Sequence, residues 1–157
     1  MARSSVLTKQ MLLLMLFIFN ISCSVKQTKF NVEQLSLIQD VKLAESVNEY
    51  YYWEYKKNWD KTYEFRSRVF LETVSFEFYS IIMEKNSNSW SFLGAKVVDV
   101  VTVSQNEYDV YIEFYSNRNN QKHRFTQRTN WLKENEVWKS NIPGKRGLFL
   151  LNDWVRQ

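Results

Sequence analysis

The 157-residue chain has one cysteine, one histidine, one proline and three glycines. A single cysteine excludes an intrachain disulfide framework and any multi-cysteine zinc site. A lone histidine leaves a catalytic metal without its usual partners. The glycines, at positions 94, 144 and 147, form neither a phosphate-cradling loop nor a G-x-S-x-G turn. So little glycine and proline also excludes collagen-like and low-complexity classes. What is abundant is apolar and aromatic: 45% hydrophobic and 17% aromatic residues provide the area a packed core needs, and the length suits one domain.

The N-terminus reads as an address. Arg3 and Lys9 precede an apolar run from Met11 to Ile21, and small residues follow at Ser22, Cys23 and Ser24, the order of a secretory signal. As a helix the run spans roughly 16 Å, about half a hydrocarbon core, so it is too short for a permanent span. Ile21-Ser22-Cys23 resembles the end of a bacterial lipoprotein signal, in which the cysteine becomes the acylated first residue. The resemblance implies residues 1–22 as signal peptide, Cys23 as the lipidation site, residues 23–31 as a tether and 32–157 as the folded domain. Ser24 after the cysteine implies the outer membrane, with the domain facing the periplasm. Cleavage after Ser24, giving a soluble periplasmic or secreted protein, is the alternative. Losing Arg3 and Lys9 with the leader narrows the excess of 21 basic over 17 acidic residues by two. The near-balanced charge of the mature chain argues against a nucleic-acid partner.

Beyond the tether the hydrophobic period changes once. From Asp40, Val41, Ala44, Val47, Tyr51 and Tyr55 recur at helical offsets, with Val32, Leu35 and Ile38 as an extension toward the N-terminus. Asn58 is placed to cap a second helix through Trp59, Tyr63 and Phe65. Ser75 is placed to cap a third, with Phe78, Tyr79, Ile82 and Met83 on one side and a break at residues 86–89. After Trp90 the pattern becomes strand-like over 97–103, 108–115, 123–131 and 137–142, with 148–151 as a possible fifth strand. Short polar connections predict an antiparallel meander, and helices before strands predict an α+β domain with the helices on one sheet face.

Glu49-Tyr50-Tyr51-Tyr52-Trp53-Glu54-Tyr55, Lys57-Asn58-Trp59-Asp60-Lys61-Thr62-Tyr63, Gln127-Arg128-Thr129-Asn130-Trp131-Leu132 and Val137-Trp138-Lys139 together resemble the NTF2-like (SnoaL/ketosteroid-isomerase-like) superfamily. That resemblance implies a cone: N-terminal helices packed on a curved antiparallel sheet of four to five strands around an apolar pocket. Enzymes of that superfamily use an Asp, or an Asp and a His, inside the pocket. The weak catalytic candidates are accordingly Asp99, which interrupts Val97, Val101 and Val103, and His123, on the predicted strand side of Phe125. The bland alternatives are a bulge or a solvated hairpin end. Asp60 with Glu64 and Glu45 with Glu49 stand at i,i+4 and read as solvated helix surface.

Four consecutive aromatics on one helix cannot all point inward, so Tyr50, Tyr52 and Trp53 are candidates for a pocket mouth or partner surface. Tyr111 and Tyr115 lie on the strand side opposite Val110 and Ile112, where an exposed aromatic sheet face suits a protein partner or a homodimer. Arg118, Lys122, Arg124, Arg128, Lys145 and Arg146 read as a solvated hairpin end or a contact for acidic groups. The reading is of a lipid-anchored envelope module without catalytic activity, cofactor or metal, which binds a protein or a small apolar ligand. The alternatives are a small pocket isomerase or dehydratase using Asp99 or His123, and a secretion-system envelope component.

Overall fold

The computed structural model describes residues 30–89, 91–118 and 120–141. The expected leader, Cys23, most of the tether, Lys145, Arg146 and the possible fifth strand at 148–151 lie outside these residues.

The order is α+β: α1 (Val41–Tyr55), α2 (Trp59–Glu64), α3 (Arg68–Thr73) and α4 (Phe76–Ser89), then β1 (Ser91–Ser104), β2 (Glu107–Arg118), β3 (Gln121–Glu134) and β4 (Val137–Ser140). Helix α1 starts where Asp40 accepts a hydrogen bond from the Leu43 amide at 2.9 Å, and α2 starts where Asn58 accepts from the Lys61 amide at 3.1 Å. Each cap satisfies an amide that the first turn leaves without a helical partner. The expected extension of α1 through Val32 and Ile38 is instead a short 3-10 turn at Leu35–Leu37, because Gln34 is left-handed and Ile38 extended.

The apolar face of α1 is rotated from the expected one. Val41 and Tyr55 are 69% and 42% exposed, Val47 and Tyr51 are buried as expected, and Leu43 and Tyr50 are buried beside them. Helix α4 runs through the expected break at 86–89. Tyr79, Met83 and Asn86 form a buried stripe at offsets of four and three, and this packing overrides the weak helix propensity of Asn and Ser. Helix α3 was not anticipated.

The four strands form one open antiparallel sheet in the order β1-β2-β3-β4. Val97, Val110, Ile112, Phe114, Trp131 and Trp138 project from it against α1 and are at most 3% exposed. Each such side chain removed from water stabilises the fold by about 1.5–3 kcal/mol before entropic costs. A second cluster, Phe70, Val74, Tyr79 and Met83, joins α3 to α4. Both sheet edges are partly covered. Glu33 bonds the Ala95 carbonyl and the Val97 amide at 2.9 Å each, and on the other edge the Ser140 amide donates to the Phe65 carbonyl at 2.7 Å.

Candidate functional site

Among the described residues, large side chains are buried between helices and sheet. At their centre is Arg66, 1% exposed. Its Nη2 donates to the Tyr50 hydroxyl at 2.6 Å and the Tyr79 hydroxyl at 3.2 Å, and its Nη1 donates to Ser140 Oγ at 3.0 Å. The Tyr79 hydroxyl in turn donates to Thr62 Oγ1 at 2.9 Å. The guanidinium lies 5.0–5.4 Å from the ring centroids of Tyr50, Phe70 and Tyr79. Burial pulls the Arg66 pKa down, but Tyr50, Tyr79 and Glu54 more than offset this, so the cation persists. Burial pushes the Tyr50 phenol up, against the lowering effect of Arg66. Burial also raises the Glu54 carboxyl, against Arg66 and the hydrogen bond to Tyr50. The network fixes α1, the α2–α3 junction, α4 and β4 to one another, and no solvent path reaches its guanidinium.

Tyr50 therefore stands in the interior and not at a pocket mouth. Tyr52 and Trp53 form a half-exposed edge-to-face pair with centroids 4.8 Å apart, with Trp53 Nε1 donating to Glu49 at 3.2 Å and Lys56 over the Tyr52 ring. Asp99 is exposed, its Oδ1 accepting from the Val100 amide at 2.8 Å. A bulge between Val97 and Asp99 shifts the register and sets Asp99 opposite Tyr111, on the sheet face away from the helices. Without that extra residue Asp99 would share the inward side of Val97. His123 pairs with Ser116 near the start of β3 and is exposed there. The structure brings these two candidates neither together nor into the interior.

Tyr111 and Tyr115 are half-buried on the outer face of the sheet. Register places Asp99, Tyr111 and Arg128 in one row across β1, β2 and β3, and Lys96, Glu113 and Thr126 in the next. Arg128 lies 3.7 Å from Asp109 and Arg124 lies 3.5 Å from Glu113, while both arginine side chains remain about two-thirds exposed, at 64% and 67%. The Tyr115 hydroxyl donates to Glu113 at 2.8 Å, and Arg124 covers the Tyr115 ring at 5.5 Å. The result is an acidic column on β2 beside a basic column on β3, with two tyrosines set among them.

A separate cleft of about 120 Å³ opens where the ends of α1 and α4 meet the starts of α2 and β1. Among the described residues no group of three or more His, Cys, Asp or Glu could hold a metal, and no helix is long and apolar enough to cross a membrane.

No family model and no curated protein matches this chain. A solved structure does. The solution structure of a SEC-C motif containing protein from Rhodopseudomonas palustris is similar at a TM-score of 0.51 and 14% identity, covering 61% of this chain and 72% of that one. At that identity the likeness concerns the fold alone. It overturns the expectation of an NTF2-like domain in a bacterial lipoprotein: the structural likeness is to a SEC-C motif protein, and no finding supports either part of that label. The described sheet is open and four-stranded, and Trp131, Trp138 and Arg66 are buried between it and the helices. Helices followed by a meander with interior aromatics suit more than one α+β fold, which is why element order misled.

Sequence reasoning missed Arg66. A lone basic residue reads as surface, yet Thr62, Arg66 and Phe70 stand at i, i+4 and i+8 and are all at most 1% exposed. That spacing was the available signal.

Proposed function

We propose that this chain is a non-catalytic binding module of the cell envelope that engages a protein partner through the outer face of its sheet. The observation behind the proposal is the pairing of half-exposed Tyr111 and Tyr115 with two charge columns whose arginines remain largely in solvent. Tyrosine and arginine are the residue types that contribute most at protein interfaces, and charge columns fix the register of a partner. The buried Arg66 network between helices and sheet favours a protein over a small apolar ligand, and the solvent exposure of Asp99 and His123 favours binding over acid–base chemistry.

Export belongs to the same proposal and rests on the charged, apolar and small segments from Arg3 to Ser24. The test is a pull-down from detergent-solubilised envelopes with the full chain and with Tyr111→Ser/Tyr115→Ser. A partner retained by the first and lost by the second supports the reading. Retention by both contradicts it, and a second copy of the chain as the partner would make the module a homodimer.

A further inference from the structure

We propose that the partner of the outer sheet face is a second copy of this chain, docked face to face about a two-fold axis that runs along the strands between β2 and β3. The inference rests on the sheet-face reading and names its partner.

A face that binds its own copy must be complementary to itself: where one residue meets a second across the axis, the second meets the first. On this face charge is sorted by strand. Asp109 and Glu113 stand on β2, and Arg128 and Arg124 stand on β3, opposite Tyr111 and Tyr115. Rotation about an axis along the strands, midway between β2 and β3, exchanges the two columns and keeps each row at its own height. Arg128 then meets Tyr111 of the partner subunit, and Arg124 meets Tyr115 of the partner subunit. Arg128 also falls diagonally between Asp109 and Glu113 of the partner subunit, one row to either side. Arg124 already lies 5.5 Å from the Tyr115 ring centroid within one chain, so the contact across the axis repeats one that the face makes by itself.

Charge also selects the axis. An axis across the strands, or one along β2 or β3 itself, sets acid over acid or arginine over arginine, which opposes docking. The arginines have capacity for a second acceptor. Each has one acid at 3.5 or 3.7 Å, its side chain is 67% or 64% exposed, and a guanidinium carries five donors. A uniformly acidic or uniformly basic partner would match one column and be repelled by the other. A surface sorted in the same two columns matches both, and the chain itself carries one.

The test is charge exchange in the full chain in detergent, with mass measured by analytical ultracentrifugation. The unaltered chain is expected to be a dimer. Arg124→Glu/Arg128→Glu and Asp109→Lys/Glu113→Lys each set like charges across the axis and are expected to weaken self-association by about a hundredfold or more. Mixed together, the two variants are expected to pair as a heterodimer. All four changes in one chain restore opposite charges on neighbouring strands, which keeps the test available if a double variant does not fold; that chain is expected to pair with itself and not with the unaltered one. A dimer indifferent to either double change, or a fourfold variant that pairs with the unaltered chain, overturns the inference. A monomeric unaltered chain overturns it too. If Tyr111→Ser/Tyr115→Ser then loses a different envelope protein, the sheet-face reading stands without the dimer; if it loses none, both fall.

Discussion

Arg66 and Ser140 are 74 positions apart in the chain, and Arg66 Nη1 donates to Ser140 Oγ across 3.0 Å in the interior. Arg66 and Ser140 also form a parallel bridge at the β4 edge. The last strand of the sheet is thus tied to the helical layer by backbone and side chain at one point, and the Tyr50 and Tyr79 hydroxyls both take Nη2, while Nε is buried without a partner.

Removing that guanidinium leaves three hydroxyls short of a partner and a cavity among aromatic rings. Arg66→Ala is expected to cost about 3 kcal/mol or more, and Arg66→Lys somewhat less, since an ammonium reaches fewer of the acceptors than the planar fork. Tyr50→Phe is expected to cost about 1.5–3 kcal/mol, because the deleted acceptor serves a charged donor. Urea unfolding monitored by circular dichroism gives the ranking. Arg66→Ala within about 0.5 kcal/mol of the unaltered protein, the range of an ordinary surface change, would show the network to be incidental.

Glu54 makes stability depend on pH. Its pKa is raised in the fold by burial, beyond what Arg66 and Tyr50 offset. The folded state therefore holds the proton to higher pH than the unfolded chain does. The resulting penalty is absent below the ordinary carboxylate range and complete above the raised value, so stability falls as pH rises through that window. Glu54→Gln is expected to flatten this part of the melting-temperature profile and to match or exceed the unaltered protein at pH near 8. A variant with the same slope as the parent places the titration elsewhere.

The arginines of the outer face are expected to separate stability from binding. Their ion pairs with Asp109 and Glu113 are largely solvent-exposed on the arginine side, so Arg124→Ala or Arg128→Ala should change stability by less than about 1 kcal/mol. The same changes should weaken partner capture, and more so at low salt, where charge steering is strongest. Capture indifferent to both arginines and to salt would remove the charge columns from the interface.

Asp40 supplies a local check on α1. Its carboxylate takes the Leu43 amide at 2.9 Å, so Asp40→Ala is expected to cost about 1 kcal/mol and Asp40→Ser much less. Equal effects of the two would mean that the cap contributes little.

Much of the architecture was legible because it is local. Asp40 and Asn58 stand immediately before periodic apolar runs, and both cap their helices through the side chain. The alternation from Tyr108 to Phe114 and from Phe125 to Trp131 marked two strands that pair along their length. Non-local features were not legible. Helix α3 is six residues with Val69 and Thr73 in it, too short for a period to register and composed partly of β-branched residues. Strand β1 begins at Ser91, six residues before the β-branched run, with Gly94 placed where an added Cβ would come within 3.4 Å of the Tyr115 ring. Of the candidate site, the outward tyrosines followed from period two, whereas the bulge that turns Asp99 outward has no signature in composition. The cleft at Asn86 was hidden because Asn and Ser in succession suggested that the helix had ended.

Site-specific photo-crosslinking in intact envelopes tests the binding reading most directly. A photoreactive residue is placed at Tyr111, at Tyr115 and, for comparison, at exposed Lys42 on α1. The account predicts one discrete protein adduct at both tyrosine positions and none at Lys42. No adduct at either tyrosine, or the same adduct from Lys42, would contradict it.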